Sequence, residues 1–347
     1  MDKLNNVNIS EVQKLIPPKQ LKELYPVTED LADSILQSRK EISDILSGKD
    51  RRMLAIVGPC SIHDTEAAME YAEKLNVLRK KYSDKLYIIM RVYFEKPRTT
   101  IGWRGLIVDP KLDGSYKIGE GLQTARSLLL KINSIGLPAG SEMLDPIVPQ
   151  YLADIVAWSA IGARTTESQT HREITSGLSM PVGFKNATDG SIQTAVDGMK
   201  SSRFPHSFIG IDQTGKTCIF KTKGNDNSHL ILRGGRRGPN YYEESVEEAE
   251  RIMSASELNP AVIVDCSHAN SGKKFERQER VLRDIVDQKF RGRDSIKGFM
   301  LESNLFEGNQ KISGDVKDLK YGVSITDECI SWRETEELLA TVWKKLD

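Results

Sequence analysis

Short apolar runs alternate with amphipathic stretches along most of this chain. Residues 53–57 form the first apolar run, and 65–81 follow with apolar positions at helical spacing. The pairing then repeats: strand 86–92 with a helix over about 120–134, strand 137–142 with helix 150–158, and strand 161–165 with a helix near 168–176. Strand 181–185 precedes helix 192–201. Residues 207–211 read as a sixth strand, followed by a hairpin over 212–223 that turns at Gln213-Thr214-Gly215. Residues 230–233 resume the strand path before helix 243–258. Strand 261–265 with helix 275–289, and strand 297–302 with helix 334–345, complete eight units. Eight units without a composition break predict an α/β fold, a (β/α)8 TIM barrel, with a doubly wound open sheet as the alternative.

The first 26 residues are polar and carry the pair Pro17-Pro18, so they read as an extension outside the main fold. Thr28 then suits an N-cap, Leu31, Ile35, Ile42, Ile45 and Leu46 fall at near-helical spacing, and Gly48 stops the helix. The expected organisation is an N-terminal extension and helix over 1–50, for oligomer or regulatory contacts, and a catalytic barrel over 51–347 with the inserted hairpin.

Composition narrows the function. Lys+Arg and Asp+Glu both number 49, and such a balance argues against a general nucleic-acid or membrane-surface binder. Cys60, Cys218, Cys266 and Cys329 are scattered without CxxC spacing, which suits a reducing cytoplasm. The N-terminus has no apolar core of signal length.

The stretch LYIIMRVYFEKPRTT, 86–100, runs from a buried strand into Arg91, Lys96 and Arg98, with Pro97 stiffening the loop. Strand C-terminal ends are where parallel α/β folds bind substrates. The other predicted ends carry Cys60, Glu142, Arg164, Lys185, Arg233, the segment Asp265–His268, and Glu302. Arg91, Arg164, Lys185 and Arg233 together imply a polyanion such as a phosphorylated acid. Four unrelated ion pairs with surface carboxylates would explain one or two of these cations, but not all four at matching positions. Cys60, His268, Glu302 and a downstream acid suit a divalent transition metal: manganese, iron, cobalt or zinc rather than magnesium, which does not favour sulfur. His63, His171, His206 and His229 read as structural.

Several long motifs then stand in order: IVGPCSIHD from 56, MRVYFEKPRTT from 90, GARTTESQTHRE from 162, PVGFKN from 181, ILRGG from 231, VDCSHAN from 264, ESNLFEGNQ from 302 and YGVSITDECISW from 321. Together they resemble the 3-deoxy-D-arabino-heptulosonate 7-phosphate (DAHP) synthases, in the short microbial class with an aromatic-amino-acid feedback site. The resemblance implies condensation of phosphoenolpyruvate with erythrose 4-phosphate at the start of the shikimate pathway. It implies metal ligands at Cys60, His268, Glu302 and Asp327, with manganese as the first choice. It puts phosphoenolpyruvate on Arg91, Lys96, Arg164, Lys185 and Arg233, with Glu142 and Ala163 in the substrate set, and erythrose 4-phosphate on Lys96-Pro97-Arg98-Thr99. Lys96 is the expected proton donor beside Cys60 and His268.

Two departures, Arg104 for a usual Lys and Ala187 for a usual Gly, touch no ligand position. The effector site is expected around Pro149, Gln150, Ile174, Leu178, Ser179, Phe208 and Phe220, closed by a neighbour's N-terminal extension. Asn5-Asn6 stand where the phenylalanine-regulated branch looks acidic, which favours tyrosine over phenylalanine as effector in a homodimer or homotetramer. Cys329, two residues after Asp327, is expected close to Cys60. The alternatives are a related synthase using arabinose 5-phosphate, whose loop has an Asn in place of Pro97-Arg98, and a non-catalytic phosphate-ester sensor. A sensor would not need the metal set.

Overall fold

The computed structural model describes residues 4–98, 100–312 and 316–346. The N-terminal helices are α1 (Pro18–Leu24) and α2 (Glu29–Ser47). Five strand–helix pairs follow: β1 (Met53–Gly58) and α3 (Thr65–Lys81), β2 (Leu86–Arg91) and α4 (Ile118–Ser134), β3 (Ala139–Glu142) and α5 (Pro149–Leu152), β4 (Trp158–Ile161) and α6 (Gln169–Gly177), β5 (Val182–Lys185) and α7 (Ile192–Ser202). After them come β6 (Ser207–Ile211), β7 (Thr217–Lys221), β8 (Ser228–Leu232), α8 (Glu243–Ala255), β9 (Val262–Asp265), α9 (Gln278–Phe290), β10 (Ile296–Glu302) and α10 (Trp332–Lys345). Eight parallel strands close a barrel in the order β1-β10-β9-β8-β5-β4-β3-β2, the TIM-barrel architecture that the alternation predicts.

Strand alternation splits the apolar residues into two cores. Met53, Ala55 and Val57 of β1 belong to the layer between strands and outer helices. Leu54 and Ile56 point inward, where they cluster with Tyr87, Ile89, Trp158, Ile231, Ile263 and Met300. Ile42, Ile45 and Leu46 of α2 join that inner cluster. Deleting one such side chain to Ala would cost about 2–5 kcal/mol. Helix α2 is therefore a plug for the N-terminal mouth, and the opposite mouth is left for chemistry. Its ends are as the residues dictate: the Thr28 side chain accepts from Leu31 N, and Gly48 takes a left-handed φ of 83°. Asp64 caps α3 in the same way, accepting from Glu66 N and Ala67 N.

Four expectations need correction. The proline pair does not leave the whole extension outside the fold: residues 4–15 are exposed, but Pro18 takes the first turn of α1, where its missing N–H is no loss, and Leu21 is buried in the outer core. The expected helix 150–158 is only the four-residue α5 and one 3-10 turn, and Trp158 opens β4. The run Ile155 to Trp158 is apolar without interruption, so its periodicity does not separate strand from helix. Strand 207–211 is not the sixth barrel strand. It pairs antiparallel with β7 in a separate ribbon, and β8 takes the barrel position. Arg164 accordingly does not end a strand; it lies three residues beyond the end of β4.

Candidate active site at the C-terminal mouth

The C-terminal ends of the strands bring most of the expected residues together. Arg91 ends β2, almost wholly buried. Its Nη2 donates to Glu302 Oε1 at 2.9 Å and to Cys60 O at 3.3 Å, and Nε donates to Pro59 O at 3.1 Å. Its guanidinium carbon stands 3.7 Å from the centre of the Tyr93 ring. Lys96 is buried too, and its Nζ donates to Cys60 Sγ at 3.0 Å and Cys60 O at 3.2 Å. Burial opposes its charge, but Cys60, Glu302 and Asp327 outweigh that and hold its pKa above the ordinary value. Lys96 thus keeps its proton at neutral pH.

Cys60, Glu302 and Asp327 offer ligand atoms that all lie within 4.8 Å of one another. This is a possible Cys/Glu/Asp metal site. His268 stands beside it, Nε2 being 3.9 Å from Glu302 Oε1. Its Nδ1 lies 3.0 Å from Asp265 Oδ2 and 2.7 Å from Ser267 Oγ. Ser267 Oγ already donates to Asp265 Oδ1 at 2.6 Å. Nδ1 therefore carries the proton, and the lone pair is left on Nε2, the arrangement a metal-binding imidazole requires. Burial, then Glu302, pushes the Cys60 thiol up, while Lys96 pulls it back. Burial also works against the Asp327 carboxylate, but nearby positive charge, the Lys96 ammonium first, outweighs it and lowers its pKa. One thiol, two carboxylates and one imidazole lone pair fit a divalent transition metal.

Lys185 ends β5 and its Nζ donates to Asp265 Oδ2 at 2.9 Å. Arg233 follows β8; its backbone N donates to Asn186 Oδ1 at 2.8 Å. Burial lowers its pKa, and the nearby Arg164 guanidinium lowers it further against the pull of Asp265. Arg91 and Lys185 therefore have buried partners, Glu302 and Asp265, rather than surface carboxylates. Arg91 Nη1, Tyr93 OH and Glu142 Oε1 are buried with no hydrogen-bond partner, the condition of groups that a polar ligand satisfies. A Cβ at position 162 would collide with that Glu142 oxygen, so Gly162 leaves it room. Ala163 is half-buried beside it.

The loop carrying Pro97 and Arg98 is tied back on itself. Lys96 N donates to Arg104 O at 2.9 Å, and Arg98 Nε to Trp103 O at 2.8 Å. Thr99 lies outside the described residues. Tyr93 escaped the sequence reading as a site residue, because an aromatic one residue beyond a buried apolar run looks like core. Asp265 entered it only within the strand-end segment Asp265–His268, with no role or partner assigned. Three of the other histidines have structural partners: His229 accepts from Trp158 Nε1 at 3.1 Å, His171 bridges Ser168 Oγ and Leu144 O, and His206 Nε2 lies 2.9 Å from Ser201 O.

A second group gathers outside the barrel. Pro149, Gln150, Ile174, Leu178, Ser179, Phe208 and Phe220 all line one cavity of about 700 Å³, together with Arg39, Asp154 and Lys22. Asn5 and Asn6 are exposed and do not line that cavity of their own chain. The four cysteines are free. Among the described residues no helix is long and apolar enough to cross a membrane.

The family model described as the DAHP synthetase I family matches residues 25–340. The chain is 52% identical over 346 residues to a Tyr-sensitive phospho-2-dehydro-3-deoxyheptonate aldolase of Escherichia coli, covering 100% of this chain and 97% of that one. It is 50% identical over 335 residues to the Phe-sensitive form of the same organism, covering 96% and 95%. A solved phospho-2-dehydro-3-deoxyheptonate aldolase from Francisella tularensis superposes with a TM-score of 0.95 at 49% identity, covering 98% of each chain.

Proposed function

The chain belongs to the DAHP synthetase I family, and from that premise we propose that it condenses phosphoenolpyruvate with D-erythrose 4-phosphate to DAHP and inorganic phosphate, the first step of the shikimate pathway. The observation that carries this reading is the single mouth where Arg91 and Lys96 meet Cys60 and Glu302, with Lys185 held by Asp265 nearby. Arg91, Lys185, Arg164 and Arg233 fix the carboxylate and phosphate of phosphoenolpyruvate. Arg98 and Thr99 hold the phosphate of the sugar. A metal held by Cys60, His268, Glu302 and Asp327 would supply Lewis acidity at the aldehyde; manganese comes first, with iron, cobalt and zinc as alternatives. C3 of phosphoenolpyruvate attacks the aldehyde carbon, and Lys96 protonates the forming alkoxide. Water adds at C2, the C–O bond breaks, and phosphate leaves.

An aromatic amino acid is the proposed inhibitor. The cavity beside α6 and the β6–β7 ribbon supports it, with Phe208 and Phe220 for the ring and Gln150, Ser179 and Arg39 for polar groups. Tyrosine is favoured, after the Tyr-sensitive relative, with phenylalanine next. A homodimer or homotetramer, with one chain's N-terminal segment near its neighbour's cavity, completes the proposal; the free thiols suit the cytoplasm. The test is phosphate release from phosphoenolpyruvate with erythrose 4-phosphate or arabinose 5-phosphate, with and without chelator. Release should need erythrose 4-phosphate and metal. Equal release with arabinose 5-phosphate, or turnover in fully stripped protein, would overturn the reading.

A further inference from the structure

Asp265 ends β9 with its side chain wholly buried, and both carboxylate oxygens are committed. Oδ2 accepts from Lys185 Nζ at 2.9 Å and stands 3.0 Å from His268 Nδ1. Oδ1 accepts from Ser267 Oγ at 2.6 Å and Ser267 N at 3.0 Å. One buried anion therefore holds a cation from β5 and an imidazole from the loop after β9. We propose that Asp265 is a positioning residue that ties the phosphoenolpyruvate-binding Lys185 to the metal-binding His268, so that affinity for both ligands depends on one carboxylate. The proposal rests on the reading of the site given above.

Three observations support it. Lys185 is buried, and an ammonium in such a place needs an anion to stay charged and aimed. His268 has a left-handed backbone, φ 54°, which a residue with a Cβ adopts only when its surroundings hold it there. Its Nδ1 lies 2.7 Å from Ser267 Oγ and 3.0 Å from Asp265 Oδ2, contacts that hold the ring plane. An Asn at 265 keeps one oxygen but adds an NH2 group. In the Oδ2 place that group faces both Lys185 Nζ and His268 Nδ1, and in the Oδ1 place it faces the Ser267 N–H, so in either orientation a donor meets a donor and the negative charge is lost. A carboxylate accepts from both.

The test compares Asp265→Asn and Ser267→Ala with the wild type as full chains. Mn2+ alone is titrated into stripped protein, and phosphoenolpyruvate binding is measured by calorimetry with and without Mn2+. In Asp265→Asn, Mn2+ should bind roughly 10–100-fold more weakly. Phosphoenolpyruvate should bind about tenfold more weakly even in stripped protein, through Lys185, while KM for erythrose 4-phosphate stays unchanged. Ser267→Ala removes the Oγ contacts to Asp265 Oδ1 and His268 Nδ1 but leaves Lys185 on Oδ2, so it should weaken Mn2+ more than it weakens phosphoenolpyruvate. The proposal is overturned if Asp265→Asn weakens only one ligand, or weakens neither, or raises both KM values alike. If Asp265→Asn does not fold, wild-type Mn2+ affinity in Ser267→Ala overturns it. Both affinities are read without turnover, so an inactive wild type would count against the proposed reaction and not against this linkage.

Discussion

Arg91→Met is the most informative single change, because it removes one partner of a buried pair and one cation proposed to bind substrate at once. Arg91 and Glu302 are each almost fully buried, with Nη2 and Oε1 2.9 Å apart. At an effective dielectric near 20, that separation corresponds to roughly 6 kcal/mol of attraction before desolvation is counted. Methionine fills similar space but leaves the Glu302 carboxylate buried without its cation, at a cost of about 3–5 kcal/mol. The assay is denaturant unfolding of stripped protein for wild type, Arg91→Met, Glu302→Gln and the double variant. With Glu302 already neutral, Arg91→Met should cost at least about 1.5 kcal/mol less than it does alone. In the kinetic arm, loss of one charge-assisted contact of about 1.5–3 kcal/mol lowers kcat/KM for phosphoenolpyruvate roughly 10–150-fold. Additivity within about 0.5 kcal/mol, with KM for phosphoenolpyruvate unchanged, would refute the reasoning.

Lys96→Met should lower kcat about 10²–10⁴-fold, as loss of a proton donor does; an undiminished kcat removes Lys96 from that role. Mild oxidation should inactivate the protein by joining Cys60 to Cys329, two free buried thiols; peptide mass mapping that finds both thiols free in inactive protein excludes this. Burial, then the charge of Asp145, lifts the Glu95 carboxyl from 4.5 to about 8. Folding then takes up a proton between those values, so stability falls as pH rises through that window. Glu95→Gln should flatten the fall, read as denaturation midpoints at about pH 5 and about pH 8; parallel profiles for both proteins would contradict it.

How much of the molecule is legible in its sequence depends on the kind of signal. Helix α3 matches its expected span of 65–81 because Asp64 gives a cap and the apolar face repeats at helical spacing. The residues of β6 read as a strand, which they are, but they belong to another sheet, since residue alternation reports half-burial and not the partner. The proline pair looks like a stop and is a start, because a Pro in the first helical turn and a Pro after a helix differ only in the residues that come next. At the site, strand-end position is enough to nominate Cys60, Arg91, Lys185, His268 and Glu302. Their partnerships are not legible. Arg91 meets Glu302 across 211 positions, and Lys185 meets Asp265 across 80. Which acid neutralises which base is set by barrel closure, and no local pattern in the chain encodes that.

The account turns on whether Cys60, His268, Glu302 and Asp327 enclose one ion. Co2+ titrated into stripped protein reads this directly, because a thiolate ligand gives a near-ultraviolet charge-transfer band that oxygen and nitrogen ligands lack. The band should saturate at a single Co2+ per chain and vanish in Cys60→Ser. Saturating Co2+ binding without that band, or a band that survives in Cys60→Ser, would contradict the site.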